Sequence, residues 1–88
     1  MNERPEFDLT KDTHLKMRYL MTQIYTNHCN AHSEQAIRFH ESQAYTLIGV
    51  AFYILDDPLL LQLANDLYST LAWRSELMLS QSNKLEAA

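Results

Sequence analysis

The stretch "DDPLLL", Asp56 to Leu61, holds the only proline after Pro5, and it constrains the fold more than any other feature. A residue that precedes proline is pushed out of the helical region, so a helix arriving from the N-terminal side has to stop at Asp57. Proline suits the first position of the next helix, with Asp57 as its N-cap. A connection this short leaves the two helices antiparallel and side by side. Elsewhere little breaks a helix: the 88 residues include one glycine, Gly49.

Apolar spacing supplies the helices. Met17, Leu20, Met21, Ile24 and Tyr25 recur at helical intervals, opposite Thr22, Gln23, Thr26 and Asn30, with Tyr19 on that polar side. Thr10 and Asp12 mark the start of this helix. Ile37, His40, Ala44, Leu47, Ala51 and Ile54 step by three and four, a heptad-like seam behind a Ser33 N-cap. Leu60, Leu63, Ala64, Leu67, Tyr68, Leu71, Ala72 and Met78 share one broad face of a third helix.

These patterns predict an all-α fold in one domain, a small three-helix bundle or a helical hairpin plus one helix. The expected parts are a flexible arm over residues 1–10, helices over about 11–31, 34–55 and 58–80, and a frayed tail over 81–88. Only the polarity of "TNHCNAHSE" separates the first two helices. Without a break there, one helix would run from Lys11 to Leu55.

The second helix is apolar on nearly every side from Ala44 to Leu55. Leu47, Ile48, Ala51 and Ile54 form one face, Tyr45, Gly49 and Phe52 a second, and Val50 with Tyr53 a third. A helix of this kind has to be covered all round, and two neighbours of similar length do not suffice. The expected cover is a second copy of the chain, so that homodimerisation would complete the fold; the alternatives are a different protein, or a central helix covered by the other two with loops and tails on the rest. Tyr45, Gly49, Phe52 and Tyr53 are the residues expected to self-associate. Gly49, which costs roughly 1 kcal/mol against alanine, would let another backbone come close.

Trp73 falls in the middle of the polar strip of the third helix, among Gln62, Asp66, Ser69 and Glu76. With Arg74 and Tyr19 it is a candidate for binding a further protein, since Trp, Tyr and Arg dominate binding hot spots. The stretch "HCNAH" raises the alternative of a metal-binding sensor or carrier. His28 and His32 are four apart, and Cys29 lies between them. The competing expectation is the polar close of a helix, where terminal carbonyls favour imidazoles. No cofactor is expected on either account.

Composition excludes several classes. The net charge is −4, and the basic residues Arg4, Lys11, Lys16, Arg18, Arg38, Arg74 and Lys84 are scattered, so nucleic-acid binding has no electrostatic footing. A single cysteine makes no intrachain disulfide, and the N-terminal stretch lacks the apolar run of a secretory signal. The twelve residues of Ala44 to Leu55 are too few to span a bilayer. A cytoplasmic protein without membrane contact is expected. Cys29 has histidines near it in sequence, but no glycine-rich loop is there to form a phosphate or oxyanion nest, so catalysis is not expected. The reading is a non-catalytic adaptor, inhibitor, immunity or regulatory protein that works by protein–protein contact as a homodimer.

Overall fold

Asp57 ends one helix and opens the next, as the proline after it requires. Its Oδ1 accepts hydrogen bonds from the backbone N–H groups of Leu59 and Leu60, both at 3.1 Å. Asp56, just before, takes a left-handed φ of 46°, which aspartate tolerates better than most residues. The computed structural model describes the backbone of residues 5–87 and the side chains of residues 5–81. All regular structure within it is helical: α1 (Asp12–Cys29), α2 (Glu34–Gly49), a π-helical turn (Val50–Ile54) and α3 (Pro58–Ala87).

The break between α1 and α2 falls where the local polarity places it. Asn30 closes α1, its N–H donating to the Thr26 carbonyl at 3.1 Å. Ser33 then caps α2 by accepting the Ala36 N–H, also at 3.1 Å. The helix start moves from Thr10 to Asp12, because Thr10 is held elsewhere. Its N–H and hydroxyl both donate to Asp8 Oδ1, at 3.0 and 2.6 Å, in a turn that precedes the helix. At the other end α3 runs to Ala87.

The expected flexible arm over residues 1–10 is described from Pro5 onward, and its first four residues lie outside the described part. Phe7 packs on the core and sets its ring edge-on to His14, with centroids 6.3 Å apart. The Asp8 N–H donates to His14 Nδ1 at 2.8 Å.

The core is built from Met17, Met21 and Ile24 of α1, Ala44, Leu47 and Ala51 of α2 and its extension, and Leu60, Ala64 and Leu71 of α3. Three of these nine are alanines with no exposed surface, which brings the helices close together. The seam fails at one position. Ile54 should follow Ala51 into the core, yet it is 73% exposed. The reason is the π-helical turn. The Leu55 N–H bonds to the Val50 carbonyl at 3.0 Å and the Asp57 N–H to the Ala51 carbonyl at 3.1 Å, wider spans than the α-helical one. The wider turn adds backbone between Ala51 and the break, and Ile54 rotates off the seam. No helix among the described residues is long and apolar enough to cross a membrane.

Candidate functional site

The π-helical turn and the last two turns of α2 leave one large apolar face open. Tyr45 is 63% exposed, Phe52 54% and Tyr53 82%. They line a groove of about 760 Å³ with Thr46, Ile48 and Gly49, and its far wall is Leu61, Asn65 and Tyr68 of α3. All four residues expected to self-associate therefore lie on one surface. The α3 wall was not anticipated, because nothing local marks Leu61 or Asn65 as a neighbour of Tyr45.

Aromatic pairs shape the groove. Tyr45 meets Tyr68 edge-on with centroids 5.3 Å apart, and Phe52 meets Tyr53 at 4.8 Å. Edge-on packing is a favoured geometry between aromatic rings. None of the nine lining residues carries a charge. Gly49 opens directly into the groove: a Cβ built there would meet nothing within 4 Å. Packing inside the chain gives no reason for a glycine at this position, so the space beside it is available to an external group.

The residues assigned to a further partner divide. Trp73 is 64% exposed, as its place on the polar strip implies. Tyr19 is exposed on α1 and accepts a hydrogen bond from Gln23 Nε2 at 2.8 Å. Arg74 is not a free surface cation. It is half-buried with its guanidinium 5.3 Å from the centre of the Tyr25 ring. Its Nε is buried with no hydrogen-bond partner among the described residues.

The residues of "HCNAH" are not brought together. His28 points into the core, fully buried, with Nε2 2.8 Å from Ser75 Oγ on α3. His32 is exposed in the loop after α1, and Cys29 is half-buried with a free thiol. Among the described residues no group of three His, Cys, Asp or Glu side chains could hold a metal ion. Burial pushes the His28 imidazole below its ordinary value of 6.5, and the nearby Arg74 charge adds to this. Glu41 opposes the shift and His40 reinforces it. Neutral His28 suits this position, although its Nδ1 is left without a partner.

His14 is a buried histidine that sequence reasoning missed. It lies at the other end of α1, 1% exposed, with Nε2 donating to Asp57 Oδ2 at 2.8 Å. Its Nδ1 accepts from Asp8, so the proton must sit on Nε2. One imidazole thus ties the arm, α1 and the start of α3 together. Asp57 is held below the ordinary carboxylate value of 3.8, first by the Leu60 N–H and then by His14, against the opposing effect of burial. Neither His14 nor Asp57 lines any of the hollows described here.

No family model, no curated protein and no solved structure matches this chain.

Proposed function

We propose that this is a non-catalytic protein that acts through protein–protein contact, and that its primary contact is with a second copy of itself across the open face of α2. The observation that carries this reading is the uncharged aromatic surface of Tyr45, Phe52 and Tyr53 around Gly49. With about 200 Å² per aromatic side chain, the exposed parts of these three sum to roughly 400 Å². A patch of that size is at the scale of the largest on soluble monomers, and such patches are commonly functional. Ile48, Leu61 and Tyr68, which line the same groove, extend it towards the ~800 Å² per partner of a standard interface.

A twofold contact suits this surface for an electrostatic reason. In an isologous interface every group approaches its own symmetry-related surroundings, so a charge on the axis would face a like charge. The lining of the groove has none. Two chains of net charge −4 repel, and a neutral face is where their approach costs least. An adaptor, inhibitor or regulator built this way would form a dimer and present its remaining surfaces to other proteins.

The test is light scattering coupled to size-exclusion chromatography on the wild type, Phe52→Glu and Gly49→Leu. The wild type should elute as a dimer at micromolar concentration. Phe52→Glu should be monomeric, because it forces an unpaired charge into an apolar contact. Gly49→Leu should be weakened, because its side chain fills the groove. Variants as dimeric as the wild type would remove this face from the contact.

A further inference from the structure

A second surface, on the α1 and α3 side, shares no residue with the groove beside α2. It consists of two adjoining hollows. One, of about 260 Å³, is lined by Phe7, Met21, Tyr25, Leu63 and Leu67, together with Arg18 and Thr22. The other, of about 290 Å³, is lined by Leu15 and Tyr19 with the same Arg18 and Thr22. Leu15, Arg18, Tyr19, Thr22 and Tyr25 form a stripe along α1 by their spacing, so the hollows follow one another along the helix axis. Two apolar hollows in line receive side chains spaced by a turn on a partner helix.

Charge then selects the partner. Among the described side chains, Arg38 pairs with Glu41 and Glu76, and Lys16 pairs with Asp12. Arg18 and Arg74 have no carboxylate partner there. Arg18 borders both hollows, and Arg74 lies on the Tyr25 ring that forms one wall. Among the described side chains, exposed Arg18 and the half-buried Arg74 behind Tyr25 therefore set two guanidinium groups without a carboxylate partner beside an apolar strip, on a protein that is acidic overall. A second copy is a poor occupant where the twofold axis passes near Arg18, since the contact would then set the arginine against its own copy.

We propose that this face docks an acidic amphipathic helix of a different protein, its apolar residues entering the two hollows and its carboxylates pairing with Arg18 and Arg74. Arginine suits that role because it pairs with carboxylates through two parallel hydrogen bonds. The inference assigns chemistry to the surface that Tyr19 and Arg74 border, and it does not depend on self-association through α2.

The probes are two designed amphipathic peptides with leucines at i, i+3, i+4 and i+7, one flanked by glutamates and one by lysines. Titrated into the isotope-labelled full chain, the glutamate peptide should shift the amide signals of Leu15, Tyr19, Thr22 and Tyr25, and salt should weaken it. Arg18→Glu, an exposed substitution, should reduce its affinity by about tenfold and admit the lysine peptide in its place. The same titration on Phe52→Glu should give the wild-type result, which separates this surface from the dimer contact. The proposal is overturned by equal affinity for the two peptides, by signal changes confined to Tyr45, Phe52 and Tyr53, or by no binding up to millimolar peptide.

Discussion

Within the stretch from Ala44 to Tyr53, Ala44, Leu47 and Ala51 are sealed against α1 and α3, while Tyr45, Phe52 and Tyr53 stand largely in water. Both sets are apolar, and both come from the run that reads as uniformly apolar in the sequence. What separates them is size and register. Alanine on the seam lets neighbouring helices approach, and the bulky rings occupy the side that α3 borders only along one wall of the groove. The π-helical turn widens the difference by carrying Ile54 off the seam into solvent. Hydrophobicity alone does not decide which residues hold this fold together and which remain for a partner.

The largest expected effect separates the two surfaces directly. Leu47→Ala removes a core side chain and should cost about 2–5 kcal/mol of stability. Phe52→Ala, on the open side, should cost the monomer less than about 1 kcal/mol. Urea unfolding of both variants in dilute solution, below the association range, measures the pair. Equal losses would mean that Phe52 belongs to the core.

Asp57→Ala attacks the turn that keeps the surfaces apart. The change removes the cap of α3 and leaves the His14 ring N–H unpaired in a buried position, for a loss of roughly 2–3 kcal/mol. The pH dependence follows from the depressed carboxyl of Asp57. A group whose native value lies below its unfolded value contributes fully above the unfolded value, here the ordinary 3.8. That contribution disappears as pH falls through the lower native value. Melting temperatures of wild type and Asp57→Ala should therefore converge in acid and differ most at neutral pH. A constant gap across that range would mean that the carboxylate charge plays no part in closing the turn.

Much of this fold is legible in the sequence because its strongest signals are local. Pro58 sets the break, Asp57 caps the next helix, and Ser33 caps α2. The ends of the α1 seam were harder to see, although His14, Met17, Met21, Ile24 and His28 step by three, four, three and four. Polar imidazoles at those two positions disguise the pattern, because a buried histidine makes sense only once Asp57 and Ser75 are known to face it. The π-helical turn was not legible. It results from how the chain closes around Asp56 and Asp57, and no residue type announces it. On the candidate site, Tyr45, Gly49, Phe52 and Tyr53 could be named from their all-round apolar context. Leu61, Asn65 and Tyr68 could not, since only the antiparallel docking of α3 sets them opposite.

The smallest expected effect is the sharpest in sign. Gly49→Ala places a methyl group in open space within a helical segment, so it should stabilise the monomer by about 0.5–1 kcal/mol. The same methyl group intrudes on the groove and should weaken self-association. Unfolding in dilute solution and a dilution series by light scattering measure these opposite changes. A variant that is both more stable and more strongly associated would show that the space beside Gly49 is not used by a partner.

Sedimentation equilibrium of the wild-type chain over a range of concentrations tests the central claim most directly. Self-association through the open face of α2 predicts a mass that rises from the chain's 10.3 kDa towards twice that value, reaching it by micromolar concentration. A soluble, folded protein that stays at 10.3 kDa up to high micromolar concentration would contradict it.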